Sequence, residues 1–450
     1  MQKSLNLSSR RLITIDVMKG YAIIGLLVLH ALIYGIWHTA ETALSILPVW
    51  LLVFLAPLII VATWGGGFAL LSGFVNTFNA VNKMSKGVSR KMALQPIIIN
   101  SIIIILLDPI RCYFFVVPWN RLFTGEMGYS LFLDLIVNGN FQWPPFEQIM
   151  SPGALPVIGI AGLLCALVLS FVYDKNGKTK ENKMLVPLIL LIAFIIVLFG
   201  EPLSHAMYAL EKEMFFRGGF LKILAYPLVL LGGDILSFLP NGAYAFLGMA
   251  FALIYKKESS KDLVKRYGRY ISLLSFVLFL IFLFVMIKQL GDTQAIINEL
   301  FGYRIQPRAL TFFNISIISL ILSALLRYYE YDEQDLYIKK ANKTVWVRRW
   351  GMLTLSLYML DGLVNTFFSK LFHTWFGDYF LEVDAFMTNV PAILLYSFIV
   401  ILFWFTLVWA WEKISFKGSM ESLVVWVGGL FRKNKSQRLN VQKNLYMEDH

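Results

Sequence analysis

The chain has 450 residues and a hydrophobic fraction of 58%, with a mean hydropathy of +0.66; this excludes an ordinary multidomain soluble protein and places it among integral membrane proteins. The formal charge of +12 does not point to nucleic acid, because the basic residues lie in short segments between apolar runs, where they orient a membrane protein. Two cysteines, Cys112 and Cys165, with no CxxC spacing, give no ground for a disulfide framework or a thiolate metal centre.

The N-terminus carries Lys3, Arg10 and Arg11 and then a long apolar stretch without a small-residue cleavage site, which predicts a retained first helix rather than a signal peptide. Runs able to cross a ~30 Å hydrocarbon layer fall near 13–37, 48–75, 92–117, 153–173, 184–200, 238–255, 270–288, 309–327, 350–372 and 389–411. With the N-terminus inside, 30 Lys and Arg residues fall on inner segments and nine on outer ones, with Lys19 inside the first helix. That bias places both termini in the cytoplasm. The stretch 218–237 is apolar but broken by Pro227 and Gly232-Gly233; it is expected to re-enter, lie on the outer surface or cross twice, since a single crossing would invert everything after it. The expected fold is therefore an all-α polytopic bundle of about ten transmembrane helices, or eleven to twelve with that stretch. Residues 1–411 are expected to form one transmembrane domain and 412–450 a basic cytoplasmic tail, of which "LFRKNKSQRLNVQKNLYMEDH", 430–450, is polar and expected to be mobile. Two long outer segments, 118–152 and 201–237, are expected to be folded.

Helix one carries three ionisable groups in an apolar run. Asp16, Lys19 and His30 fall within an arc of roughly 100° on one helix face. Asp16 and Lys19, three apart, can pair and offset each other's desolvation. His30 lies ~16 Å further along the axis. The bland alternative has Lys19 snorkelling to the interface, Asp16 capping the helix start and His30 making one structural hydrogen bond. Three such groups on one face favour a water-filled path or a site. Asp361 and Asn365, one turn apart near 350–372, form a second intramembrane polar pair; the acid is placed either to orient a histidine or to face an internal water. Asp108 and Arg111 suit an interfacial ion pair, with an acceptor-binding role for Arg111 as the other option. His205, Glu211, Glu213 and Arg217 can grip a polar acceptor or simply form a solvated face. The glycines of "TWGGGFALLSG" predict close helix packing rather than a phosphate loop.

The segment "RRLITIDVMKGYAIIGLLVLH" resembles the first-helix signature of the transmembrane acyltransferase superfamily, R-L-x-x-x-D-x-x-R/K-G, followed in its acyltransferase-3 branch by ten residues and a histidine. Arg11, Leu12, Asp16, Lys19, Gly20 and His30 match, with Lys where Arg is commoner. "NGAYAFLGMAFAL" and "YRIQPRALTFFNISIISLILSALL" are similar to segments of heparan-alpha-glucosaminide N-acetyltransferase relatives. "RRWGMLTLSLYMLDGL" and "FKGSMESLVVWV" are similar to segments of the YeiB-like branch. The resemblance covers most of the chain, and its specific part is helix one. In the heparan-type branch the essential histidine follows helix one, which makes His38 eligible beside His30; the Lys-to-His spacing ranks His30 first.

The resemblance implies transfer of an acyl group, in first place acetyl, from cytoplasmic acyl-CoA to an extracytoplasmic glycan or similar polar acceptor. His30, assisted by Asp16 and Asp361 with His38 as second choice, would handle the proton or carry the acyl group. Arg10, Arg11, Lys19, Arg348 and Arg349 would meet the phosphates of acetyl-CoA, with the pantetheine arm lying along the ~16 Å from Lys19 to His30. Arg111, His205 and Asn365 are the expected acceptor contacts. No metal is expected. The expected partners are acyl-CoA, the acceptor and the lipid bilayer of the cell membrane, with a homodimer as an option and no nucleic acid. The competing class is a secondary transporter, which shares the helix count and the buried charges but should show two symmetric halves.

Overall fold

A computed structural model describes residues 11–37, 50–51, 65–116, 119–120, 123, 126–178, 184–234, 236–257, 260–292, 295–296, 299–300, 305–376, 389–431 and 439–447. In chain order the helices are α1 (Ile13–Leu32), continued by a π-helical turn Ile33–Trp37, α2 (Gly65–Ser85), α3 (Arg90–Phe114), α4 (Leu131–Asn138), α5 (Ala154–Val172), α6 (Leu185–Arg217), α7 (Gly219–Leu231) and α8 (Phe238–Tyr255). They continue with α9 (Ser260–Leu290), α10 (Arg308–Tyr329), α11 (Gln334–Lys343), α12 (Val345–Met352), α13 (Thr354–Phe376), α14 (Val390–Lys413), α15 (Met420–Leu430) and α16 (Val441–Asn444). One short antiparallel ladder pairs β1 (Trp119–Asn120) with β2 (Met127–Gly128).

Among the described residues eight helices are long and apolar enough to cross a membrane, and the chain is a multi-pass helical membrane protein. Of the ten runs expected from sequence, 48–75 lies partly outside the described residues, and 350–372 is divided between α12 and α13, whose first turns carry polar and basic residues. The broken stretch 218–237 forms α7, a 13-residue helix, which at 1.5 Å per residue is ~20 Å long and too short to cross alone. The 201–217 part of the expected outer segment is helical, a continuation of α6 through Pro202.

Burial separates centre from rim. In α8 94% of the apolar window is inside the protein, and in α9 only 6%; α8 is apolar all round because it is surrounded by protein, α9 because it faces lipid. Helix α2 packs on α8 through reciprocal glycines: a Cβ at Gly73 would strike the Ala245 carbonyl, and one at Gly248 the Leu70 carbonyl. That is the close packing expected of the glycine-rich stretch. A second apolar cluster joins the C-terminal half of α1 to α13, α14 and the end of the chain, including Leu27, Phe372, Trp404, Val441 and Leu445. The stretch 430–450 expected to be mobile is corrected in part: Val441 and Leu445 are buried, because these apolar side chains return to the bundle, as do Phe416 and Val424 earlier in the tail.

Candidate functional site

The helix-one signature is built against α12. A Cβ at Gly20 would fall on the Val347 carbonyl, and one at Gly351 on the Asp16 carbonyl. The two backbones therefore touch beside the signature acid. The first turn of α1 is held by Glu330, whose Oε1 accepts the Thr14 N–H at 2.8 Å, satisfying one of the donors left open at a helix start. Asp16 accepts from Arg11 Nε at 2.5 Å and from a terminal guanidinium nitrogen at 3.1 Å, a two-pronged charge-assisted contact. Arg348 Nε stands 3.8 Å from the same carboxylate, an ion-pair distance beyond hydrogen bonding. The Lys19 charge also acts on Asp16, whose hydrogen-bonded partner is Arg11.

A cavity of about 400 Å³ has Arg11, Asp16 and Lys19 at one end and lies between α1, α2, α3, α5, α13 and α15. Its middle presents Ser72, Asn76, Asn79, Asn100 and Ser101 among apolar side chains such as Ile104, Leu155 and Val424. Glu421 on α15 lines it too, and its carboxylate accepts from Leu355 N at 2.7 Å and Ser356 Oγ at 2.5 Å. That carboxylate caps α13. The far wall is Tyr358 and the start of α5, where Ala154 N donates to the Tyr358 hydroxyl at 2.9 Å.

One turn beyond Tyr358, Asp361 Oδ2 is in hydrogen-bond contact with His30 Nδ1. Asp361 Oδ1 accepts from Asn365 Nδ2 at 2.9 Å. Asp361 and Asn365 are buried, while the His30 side chain is 22% exposed. The π-helical turn after α1 carries Tyr34, whose ring centroid lies 4.8 Å from the imidazole. Tyr34 is within electrostatic reach of Asp361, Tyr358 and Arg111. The carboxylate at Nδ1 selects the tautomer with a proton there and leaves Nε2 as the proton acceptor. His30 does not line the cavity, whereas Tyr358, which is within electrostatic reach of Tyr34, does.

No family model, no characterised protein and no solved structure matches this chain. The site is therefore read from its own geometry.

The structure brings together Arg11, Asp16 and Lys19 at one end of the cavity, and His30, Asp361 and Asn365 at the other end of α1. Asn365, expected as an acceptor contact, instead steadies Asp361. Arg111 is buried, donating to Asp108 Oδ1 at 2.9 Å with its guanidinium carbon 5.4 Å from the centre of the Tyr358 ring. The interfacial ion pair expected there is an internal one, closed by Gly153 N at 3.2 Å from both Asp108 oxygens. His205 is exposed on α6, and Glu213 pairs with Arg217 on the same exposed surface. Arg348 and Arg349, expected at the phosphates, face the chain end: Arg348 donates to the carbonyls of Ala341, Leu445 and Asn444 at 3.2, 3.1 and 2.5 Å. Arg349 meets Glu412. Arg10 and His38 lie outside the described residues. Among the described residues no group of three or more His, Cys, Asp or Glu side chains is placed to hold a metal.

Sequence reasoning missed Tyr34, Tyr358, Glu330, Glu421 and the asparagines of the cavity. Tyr34 had a signal, since it follows His30 by four residues and so lies one turn further along the same face. The others become neighbours only through helix packing.

Proposed function

We propose that the protein is a membrane-embedded acyltransferase that takes an acyl group, in the simplest case acetyl, from cytoplasmic acyl-CoA and passes it to a hydroxyl or amine of an extracytoplasmic glycan or similar polar acceptor. The observation that carries this reading is the His30–Asp361 contact, placed at the opposite end of α1 from the cationic mouth formed by Arg11 and Lys19. The Lys and Arg bias supports ten crossings in the cell membrane with both termini cytoplasmic, which puts that mouth where CoA is available.

The cavity suits the donor. Its volume of about 400 Å³ is that of a small-ligand site. Arg11 and Lys19 supply charge for phosphates. The amide and hydroxyl groups of Ser72, Asn76, Asn79, Asn100 and Ser101 suit the two amides of a pantetheine arm.

His30 Nε2 takes the proton of the acceptor hydroxyl as its oxygen attacks the thioester carbonyl carbon. The C–S bond breaks, the imidazolium returns the proton to the departing thiolate, and the products are an acyl ester and free CoA thiol. Asp361 stabilises the imidazolium, and Asn365 keeps the carboxylate oriented.

The test is transfer of label from radiolabelled acetyl-CoA to candidate envelope glycans by the purified protein. Transfer is expected to disappear in His30→Ala and to require more donor in Lys19→Ala, with His38→Ala compared in parallel. Absence of both transfer and CoA hydrolysis from the unmutated protein would overturn the reading. A secondary transporter is the second reading, favoured by an internal His–Asp pair that is able to exchange a proton and is not part of the cavity lining. Solute-driven proton movement in liposomes without CoA would select it.

A further inference from the structure

Of the two α12 arginines expected at the donor phosphates, Arg348 is held by the last described stretch of the chain and Arg349 by Glu412 at the end of α14. Arg348 is fully buried, and two of its three carbonyl partners, Asn444 and Leu445, belong to that stretch. Neutral carbonyls satisfy its terminal N–H groups, its Nε has no hydrogen-bond partner among the described residues, and its charge is met by Asp16 at 3.8 Å, with the Glu330 charge also acting on it. Arg349 meets Glu412, whose other oxygen accepts the Tyr446 hydroxyl. The stretch is anchored by Val441 and Leu445 in the second apolar cluster. Its α16 has four residues, too few to hold helical form without that docking. Leu439, at its start, lines the donor cavity and also the neighbouring cleft formed by Glu412, Lys413 and Tyr446.

We propose that residues 439–447 are a strap that withholds Arg348 from the cavity and so regulates how tightly the site takes a polyphosphate anion, the phosphate portion of CoA under the acyl-transfer reading. When the strap lifts, Arg348 loses two acceptors, and buried guanidinium donors must find replacements. The anion nearest to it is Asp16, beside Arg11 and Lys19. A phosphate entering there meets three cations, Arg11, Lys19 and Arg348, rather than two. The proposal rests on the acyl-transfer reading only in naming CoA; the strap itself is tested with plain anions.

The experiment compares the full chain with a chain ending at residue 438, and with full-length Leu445→Asp, by calorimetric titration with CoA and with inorganic tripolyphosphate. Release is expected to tighten binding of both anions about tenfold or more, and Arg348→Ala in the Leu445→Asp background to reverse the gain. Equal or weaker binding after release overturns the proposal, as does a failure of the released forms to bind either anion. Because those variants can lose the fold, the converse is measured on the intact chain: Lys413→Cys and Gln442→Cys, which line one cleft, are bridged by a bifunctional methanethiosulfonate. Bridging is expected to weaken anion binding and reductant to restore it, and equal binding in the two forms overturns the strap. Tightened tripolyphosphate binding without label transfer from acetyl-CoA leaves the strap standing and sinks the acyl-transfer reading instead.

Discussion

His30 on α1 and Asp361 on α13 meet through Nδ1 and Oδ2, 331 residues apart in the chain. A histidine oriented by a buried carboxylate, itself held by Asn365, has one defined tautomer, with the proton on Nδ1 and the lone pair on Nε2. An imidazole without that partner samples both tautomers and either charge near neutrality.

Asp361→Asn removes the group that selects the tautomer and stabilises the imidazolium. Transfer is expected to fall by about 10²–10⁴-fold, and His30→Ala to fall as far. The double variant should be no worse than His30→Ala, because the two side chains act as a unit. Label transfer at saturating donor measures this, and additive losses would contradict it.

Gly20→Ala puts a methyl group on the Val347 carbonyl. Backbone cannot yield as a flexible side chain can, so α1 and α12 must separate, at a cost of roughly 1–3 kcal/mol. A lowered thermal midpoint in detergent is expected, together with weaker donor binding because Asp16 moves with the helix. Gly351→Ala should behave alike, since its methyl would meet the Asp16 carbonyl.

Glu330 gives stability a pH dependence. Burial pushes its carboxyl up from 4.5 to about 7; the nearby Asp16 charge adds to this, and the Thr14 N–H and Arg348 oppose it. The folded state thus favours the protonated acid. That contribution is fully present below pH 4.5 and is lost as pH rises to about 7. Glu330→Gln keeps an oxygen for Thr14 and does not ionise, so it should gain on the unmutated protein across that window by a few kcal/mol (~1.4 per pKa unit) and then level off. Unfolding midpoints of the two proteins between pH 4 and 8 measure the gap; a constant gap would refute the assignment.

Glu421→Ala uncaps α13. The amides of Leu355 and Ser356 lose their carboxylate acceptor, which should cost about 1–2 kcal/mol. Hydrogen exchange should quicken at those two amides first. Uniform exchange across α13 would argue that the carboxylate holds no special place.

The sequence by itself determined the class of the protein. Apolar runs of spanning length and the segregation of Lys and Arg need no neighbours to be read, because lipid imposes them on each segment separately. It also placed Asp16, Lys19 and His30 on one helix face and singled out Asp361, since a charge in an apolar run is costly wherever the run ends up. Only the tertiary structure decided which groups meet. Arg348 and Arg349 were read as free cations at the mouth, but they face Asn444, Leu445 and Glu412 because the chain end folds back onto α12 and α14. Glu421, read as part of a tail, caps a helix that begins 67 positions earlier at Thr354. Helical periodicity fixes a side chain's direction on its own helix, whereas partners are chosen by packing between helices far apart in sequence. That is why the ingredients of the site were legible along the chain and its pairings were not.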